Sequence, residues 1–237
     1  MPLPSRGLRP FALALLTFLV AAPAAAQAAE GTPTPCTDDA MIVFDASGSM
    51  AGNTVQGLFS AVTRIDEVRK ALAQVLPNAA KFRKIGLITY GPGPYAQCNV
   101  ALDFRPMPNA TGPIMSVVNA LNPAGKTPLV EAVQRAAEVL AYQGTIVLLT
   151  DGEETCGGAP CELGKSLKAN KHLTVHVVGY QLKAFRWTGA QSFLDAKCLA
   201  EETGGLYITA ENRQDLIEAF EKTLGCPMMS ALPAASR

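Results

Sequence analysis

The stretch "MIVFDASGSMAG" (residues 41–52) changes abruptly from apolar residues to an acid, hydroxyls and glycines. Its D-x-S-x-S spacing directs the short oxygen-bearing side chains of Asp45, Ser47 and Ser49 towards one point. Oxygen ligands of this kind suit a hard divalent cation such as Mg²⁺ or Mn²⁺. The stretch therefore predicts part of a metal site at the end of a buried strand.

Two later segments have the same character. "TIVLLTDGEE" (residues 145–154) is an apolar run that ends in Asp151, and "NPAGKTPL" (residues 122–129) places Thr127 in a loop that opens a helix. In a doubly wound sheet, ligands bind beyond the carboxyl ends of the strands. Two carboxylates would nearly neutralise a dication and leave coordination positions open to an anionic oxygen from outside. The predicted metal ligands are Asp45, Ser47, Ser49, Thr127 and Asp151.

Other sites built from similar residues fit this chain less well. "GKT" suggests a phosphate-binding loop, but the earlier glycine which that motif requires falls on Ala120. Ser47 and Ser49 stand where a calcium-binding EF-hand loop has acidic residues. Asp45, Ser47 and Ser49 could also simply cap a following helix. The matching contexts of Thr127 and Asp151 favour the metal site over that interpretation.

The elements that must position these residues are predicted from hydrophobic periodicity. Apolar runs typical of strands alternate with segments of helical spacing. The strand candidates are "AMIVFD", "KIGLITYG", "CNVALDF", "TIVLLTDG", "LTVHVVGY" and "LYIT". The helical faces are Ile65, Val68, Leu72, Val75 and Leu76; Val130, Val133, Ala137 and Leu140; and Leu216, Phe220 and Leu224. The alternation predicts an α/β fold: a doubly wound, mostly parallel sheet with helices on both faces. "TYGPGPY" predicts an antiparallel hairpin at one edge of that sheet.

The first residues have the pattern of a secretory signal peptide. Arg6 and Arg9 precede the apolar run "FALALLTFLVAAPAAA", and small residues follow, which predicts a signal peptide over residues 1–28 cleaved near Ala26 or Ala28. A retained signal anchor is the alternative. No later stretch is apolar and long enough to cross a bilayer. We expect a secreted or periplasmic protein that ends in a disordered tail over residues 227–237.

Charge and cysteine content narrow the class of protein further. Removing the signal peptide leaves 18 basic against 20 acidic residues and no basic stripe, so we expect no nucleic-acid binding. All six cysteines follow the cleavage site, which indicates disulfide bonds in an oxidising compartment. "CGGAPC" has zinc-ligand spacing but no second pair or nearby histidine to complete a site.

"DASGSM", "GKTPL" and "LLTDGEE", in this order along the chain, resemble a von Willebrand factor type A domain and its metal-ion-dependent adhesion site (MIDAS). The resemblance extends over roughly residues 38–225, and "TDGEETCGG" and "VHVVGY" are more similar to secreted bacterial members than to animal adhesion receptors. It implies that Ser47, Ser49 and Thr127 contact the metal directly, whereas Asp45 and Asp151 hold it largely through bound water. The implied cation is Mg²⁺, with Mn²⁺ or Ca²⁺ as alternatives.

The same resemblance constrains the disulfide bonds. Because the chain ends lie close together in such a fold, it favours a Cys36–Cys226 bond. Cys156 and Cys161 lie in one loop and could bridge locally. Cys98 and Cys198 would then be too far apart to pair. Either those two are free, or the loop with Cys156 and Cys161 is tied to them instead.

These features predict a binding module rather than an enzyme. By the resemblance, its open metal position takes a Glu or Asp carboxylate of a partner protein. A metal-dependent hydrolase and a domain whose metal is only structural are the alternatives. No nucleophile, histidine and acid order stands out, and His176 fits a sheet position better than a catalytic one. Glu153 and Glu154 are expected to be solvated loop charges, or to bias which ligand approaches the site.

Overall fold

The computed structural model of the chain describes residues 37–54, 62–94, 97–170, 172–182 and 190–225. The predicted signal peptide (residues 1–28), the predicted tail (residues 227–237) and the favoured Cys36–Cys226 bond lie outside these residues. No helix within the described ranges has both the length and the apolar composition that crossing a bilayer requires.

The described residues contain six strands, which form one sheet in the order β3-β2-β1-β4-β5-β6. All neighbouring strands are parallel except β2 and β3, which pair antiparallel at one edge. The predicted fold class and the predicted edge hairpin are therefore confirmed. The strands are β1 Ala40–Asp45, β2 Ile85–Tyr90, β3 Val100–Met107, β4 Gly144–Thr150, β5 Leu173–Tyr180 and β6 Tyr207–Ala210.

Helices cover both faces of the sheet, which explains why its central strands are apolar almost without interruption. In β1, Ile42 and Phe44 pack in one core cluster with α1, α2 and α6. Met41 and Val43 pack in a second cluster with α3, α4 and α5. The helices are α1 Arg64–Phe82, α2 Thr111–Ala120, α3 Leu129–Val139, α4 Pro160–Leu167, α5 Ala190–Glu202 and α6 Arg213–Leu224, with a short 3₁₀ helix at Gly48–Ala51.

The start of α1 is set by a capping box, in which two residues satisfy each other's free backbone N–H groups. The Thr63 hydroxyl accepts from the N–H of Asp66, and the Asp66 carboxylate accepts from the N–H of Thr63. The helix then buries the face that its periodicity predicts, from Ile65 to Leu76. Because the box makes Arg64 the first helical residue, it also fixes where that side chain begins.

Helix α2 is not predicted by the sequence pattern. Gly112 and Pro113 lie in its first turn and mask the helical signal, although a proline is tolerated there because the first N–H groups of a helix have no partner within it. Ile114 and Val118, four residues apart, are its buried contacts with the core.

The disulfide bonds tie the β4–α4 loop (residues 151–159) and the start of α4 to two distant segments. Cys156 is bonded to Cys98, which precedes β3, and Cys161 in α4 is bonded to Cys198 in α5. The local Cys156–Cys161 bridge is therefore wrong, and the alternative in which Cys98 and Cys198 each bind this region is confirmed. The zinc interpretation of "CGGAPC" is also excluded, since both of its cysteines are in disulfide bonds.

We expect the Cys161→Ser/Cys198→Ser variant to be less stable by about 4 kcal/mol in the chain-entropy model. The bond closes a sequence separation of 37 residues, so its removal enlarges the conformational freedom of the unfolded chain. Urea unfolding of the two proteins measures the difference. Cys161→Ala/Cys198→Ala controls for burying two hydroxyls and should lose a similar amount. A loss of less than about 1 kcal/mol in both variants contradicts this account.

His176 in β5 should make the fold acid-sensitive. Its Nδ1 accepts a hydrogen bond from the N–H of Leu206 at 2.9 Å. Burial, followed by the charge of Arg83, lowers the pKa of His176 from 6.5 to about 4. Between those pH values the unfolded chain binds a proton that the folded chain does not, so acidification favours unfolding.

The stability that His176 contributes is therefore complete above pH 6.5 and is lost as the pH falls towards about 4. His176→Asn keeps an acceptor but cannot titrate. We expect wild type to lose stability relative to this variant when urea unfolding is repeated from pH 7 downwards. A constant difference between the two proteins would show that the histidine is not responsible.

Candidate metal centre

Asp45 is the last residue of β1, and its carboxylate is 0% exposed. One oxygen, Oδ1, accepts from the N–H of Ser47 at 2.8 Å. The other, Oδ2, accepts from the Thr150 hydroxyl at 3.1 Å and from the N–H of Asp151 at 3.4 Å. Because β1 and β4 are parallel neighbours, their carboxyl ends lie level and Asp45 joins the two loops that follow them.

The hydroxyls of Ser47 and Ser49 connect the loop after β1 to the second carboxylate, that of Asp151. Ser47 Oγ lies 3.0 Å from Ser49 Oγ, and Ser49 Oγ donates to Asp151 Oδ1 at 2.6 Å. Asp151, directly after β4, is also 0% exposed. The structure thus brings Asp45, Ser47, Ser49 and Asp151 together in one hydrogen-bonded cluster.

Thr127 lies beside this cluster but is not bonded to it. Its backbone pairs with Thr155: the Thr127 N–H donates to the Thr155 hydroxyl at 2.8 Å, and the Thr155 N–H donates to the Thr127 carbonyl at 3.1 Å. The residue is 5% exposed, and its hydroxyl makes no hydrogen bond to any other described residue. A nearly buried hydroxyl of this kind is available to a ligand.

Gly91 allows the loop that carries Thr127 to approach the loop after β1. The Gly48 N–H donates to the Gly125 carbonyl at 3.0 Å, which aligns the two loops. At Gly91 the backbone has φ +77, and a Cβ there would lie 2.6 Å from the Lys126 carbonyl oxygen and 2.7 Å from Ser47 Cα. Any side chain at this position would separate Ser47 from the neighbourhood of Thr127.

Arg64 is a charged member of the site that the sequence analysis did not identify. Its Nη1 donates to Asp151 Oδ2 at 2.9 Å and contacts the Ser49 carbonyl at 3.4 Å. Its Nε donates to the Gln181 side-chain oxygen at 3.3 Å. The Thr63–Asp66 capping box marks a helix start in the sequence. Nothing local indicates that the first residue of this helix faces a carboxylate 87 positions away.

Gln181 is a second residue that the sequence analysis did not identify. It follows β5, is 2% exposed and has φ 53, which is uncommon for a residue with a side chain. Its amide nitrogen donates to the Glu211 carbonyl at 3.2 Å and lies 3.3 Å from the Tyr180 hydroxyl. These contacts orient the amide oxygen towards Arg64.

Burial and proximity make the two carboxylates difficult to ionise together. Burial, followed by the negative charge of Asp151, raises the pKa of Asp45 from 3.8 to about 6, against the opposing hydrogen bonds from Ser47. Burial also raises the pKa of Asp151, against the opposing effects of Ser49 and Arg64. A divalent cation between these groups would favour both ionised forms.

The donor set fits a hard cation. It consists of two carboxylates and three hydroxyls, all oxygen, as Mg²⁺ prefers. No cluster of three or more His, Cys, Asp or Glu residues that could hold a metal occurs among the described residues. The candidate site therefore depends on hydroxyls as well as carboxylates, and it lacks the nitrogen and sulfur ligands that are usual for zinc.

Glu154 supports the site rather than lying in solvent. Its Oε2 accepts from the N–H of Val130 in the first turn of α3, and its Oε1 accepts from the N–H of Cys156, at 2.9 and 2.7 Å. It thus joins the start of α3 to the β4–α4 loop. Glu153 is exposed, in agreement with the expectation of a solvated loop charge.

Comparisons with known proteins agree with the fold of the chain. A family model described as the von Willebrand factor type A domain matches residues 40–154. The chain is 26% identical over 226 residues to the uncharacterized protein YwmC of Bacillus subtilis (strain 168), and the match covers 89% of this chain and 94% of YwmC.

Solved structures with the same fold include the PilB minor pilin of Streptococcus sanguinis, with TM-score 0.60, 16% identity and coverage of 85% of this chain. The chain matches only 63% of that pilin's length. The SpRpn10 VWA domain has TM-score 0.59 and 15% identity, and the match covers 84% of this chain and 100% of that domain. Proximal thread matrix protein 1 of the mussel byssus, with a zinc-occupied MIDAS motif, has TM-score 0.55 and 15% identity, with coverage of 81% and 46%.

Identities this low show a common fold and nothing more. The family model, however, spans the motif loops after β1 and β4 and the loop between α2 and α3. The superposition on the SpRpn10 VWA domain shows that the two share one fold. Residues 40–154 therefore match the von Willebrand factor type A domain family, and the chain has the fold of that family.

Proposed function

We propose that Asp45, Ser47, Ser49, Thr127 and Asp151 bind a divalent cation, foremost Mg²⁺, with Mn²⁺ or Ca²⁺ as alternatives. The loaded site then binds an acidic side chain of a partner protein, so the chain acts as a binding module and not as an enzyme. The observation that carries this proposal is the hydrogen-bonded row from Ser47 through Ser49 to Asp151, beside the buried Asp45.

The hydrogen bonds suggest how the ligands divide their roles. Both oxygens of Asp45 and both oxygens of Asp151 already accept hydrogen bonds from the protein. The hydroxyls of Ser47, Ser49 and Thr127 each keep an accessible oxygen lone pair. In our proposal these hydroxyls contact the cation directly, and the carboxylates hold it largely through bound water.

The comparisons support the proposal in outline. The mussel byssus protein carries zinc in its MIDAS motif, which is evidence that this fold can hold a divalent cation at such a motif. A minor pilin and a pilus adhesin, SpaC from Lactobacillus rhamnosus GG, share the fold. These relatives favour protein binding outside the cell over catalysis.

We further propose that the mature chain is secreted or periplasmic. Residues 1–28 would be removed as a signal peptide, residues 38–225 would form the binding domain, and residues 227–237 would form a tail. The disulfide bonds Cys98–Cys156 and Cys161–Cys198 support this location, because such bonds persist in oxidising compartments.

Thr127→Val should weaken metal binding without weakening the metal-free fold. Valine keeps the shape of threonine, and the lost hydroxyl has no hydrogen-bond partner in the described structure. We expect Mg²⁺ affinity, measured by isothermal titration calorimetry, to fall by about tenfold or more. The melting temperature in EDTA should change little.

Thr209→Val is the matched control, since Thr209 is an exposed hydroxyl residue in β6 outside the site. It should leave both quantities unchanged. Equal Mg²⁺ affinities for wild type and Thr127→Val would remove Thr127 from the ligand set.

Partner binding should require both the metal in the site and a carboxylate on the partner protein. Immobilised wild-type protein is incubated with a native envelope fraction in Mg²⁺ and then eluted with EDTA. We expect EDTA to release bound protein from wild type and none from Asp45→Asn, which has the same shape but one charge fewer at the site. Excess N-acetylglutamate should compete, and N-acetylglutamine should not.

Capture that persists in EDTA and on Asp45→Asn contradicts the proposal. A metal that only stabilised the fold would give a different result: Mg²⁺ would raise the melting temperature, but nothing would elute with EDTA.

A further inference from the structure

Arg64 places a fixed positive charge against one of the two carboxylates of the site. Its Nη1 lies 2.9 Å from Asp151 Oδ2, and the exposed fractions of the two side chains are 13% and 0%. An ion pair this far from solvent is screened much less than a surface pair. The guanidinium therefore acts on Asp151 as a bound cation would.

The position of Arg64 is determined from both ends of the side chain. The Thr63–Asp66 capping box sets its backbone at the first residue of α1. Gln181, itself buried and bonded to the Glu211 carbonyl, accepts from its Nε. A long side chain held in this way forms its ion pair with little further loss of conformational freedom.

The charges in the site explain what this arrangement does. Without metal, two carboxylates face one guanidinium, and one negative charge is left uncompensated. With a divalent cation, the same groups carry one positive charge in excess. Arg64 therefore stabilises the metal-free site and repels the incoming cation, because like charges at this range interact unfavourably.

We propose that Arg64 is the built-in counter-ion of the site: it keeps Asp151 in place when no metal is bound, and it lowers the affinity of the site for a divalent cation. This inference rests on the proposed metal binding. It adds a residue outside the five candidate ligands that sets how tightly the metal is held.

Arg64→Gln is the first test. It removes the charge but retains a polar side chain able to contact Asp151. We expect Mg²⁺ and Mn²⁺ affinities, measured by isothermal titration calorimetry, to rise by about tenfold or more. The melting temperature in EDTA should fall, because an unpaired buried carboxylate remains. Arg64→Lys keeps the charge but loses the bond to Gln181, so its Mg²⁺ and Mn²⁺ affinities should stay near those of wild type while its melting temperature in EDTA falls less than that of Arg64→Gln.

Arg69→Gln is the matched control on the same helix. Arg69 has a similar exposure of 19%, pairs with Asp66 at 3.0 Å and donates to the Val118 carbonyl, but it does not contact the site. We expect it to lower stability and to leave metal affinity unchanged. A tighter-binding Arg69→Gln would mean that the gain reflects a loosened helix and not the lost charge.

A metal-free cycle tests the counter-ion role independently. In EDTA, Arg64→Gln/Asp151→Asn should be more stable than Arg64→Gln alone, because the double variant also removes the carboxylate that Arg64 neutralises. If the single variant does not fold and the double variant does, the inference is supported. If the double variant is no more stable than the single one, the inference is wrong.

The two proposals fail in different ways. Wild type that binds no Mg²⁺ contradicts the proposed function, and the EDTA cycle still decides whether Arg64 balances Asp151. Wild type that binds Mg²⁺, with a folded Arg64→Gln that binds it equally or more weakly, contradicts the counter-ion role alone.

Discussion

Two carboxylates buried side by side at the ends of β1 and β4 are the constraint on which this structure depends. Asp45 and Asp151 are both 0% exposed, and a buried charge is costly unless it is paired or hydrogen-bonded. Their four oxygens accept from backbone N–H groups, from the Thr150 and Ser49 hydroxyls and from the Arg64 guanidinium. The loops at this edge of the sheet therefore converge on these two side chains, and any cation bound there would enter an already crowded hydrogen-bond network.

The strands, helices and loops around the site bring the two acids and their hydrogen-bond partners together. Parallel pairing of β1 with β4 brings the two acids level, and Gly91 lets the Thr127 loop lie against Ser47. The capping box of α1 fixes the backbone of Arg64, and Gln181 after β5 accepts a hydrogen bond from its guanidinium. Glu154 joins the start of α3 to the β4–α4 loop. Each contact is a local consequence of where an element begins or ends, so the site is assembled by the sheet and not by one continuous motif.

Short-range signals in the sequence predicted most of the fold and only part of the site. Strands with continuous apolar runs, the D-x-S-x-S spacing and the strand ending in Asp151 are local patterns, and periodicity identifies them. Arg64 and Gln181 depend on contacts between elements far apart in sequence, so no local pattern marks them. Gly112 and Pro113 masked α2 because they are unfavourable in helix interiors but acceptable in a first turn. Spacing could not decide the cysteine pairing for a similar reason. It allows a local Cys156–Cys161 bridge, whereas the actual bonds join these two residues to Cys98 and Cys198, which lie far away in the sequence.

The two disulfide bonds also affect how this domain transmits force. They close sequence separations of 58 and 37 residues, so a pull applied outside Cys98 and Cys198 can lengthen only the short stretch from Cys156 to Cys161. Thr127 and Asp151 lie inside this covalently shortened block, whereas Asp45, Ser47 and Ser49 lie outside it. Within the described residues no disulfide bond joins the two groups, so noncovalent contacts hold them against each other. Tension along the chain would therefore act on the hydrogen bond between Ser49 and Asp151. An ion bound by both groups would strengthen this connection against the applied force.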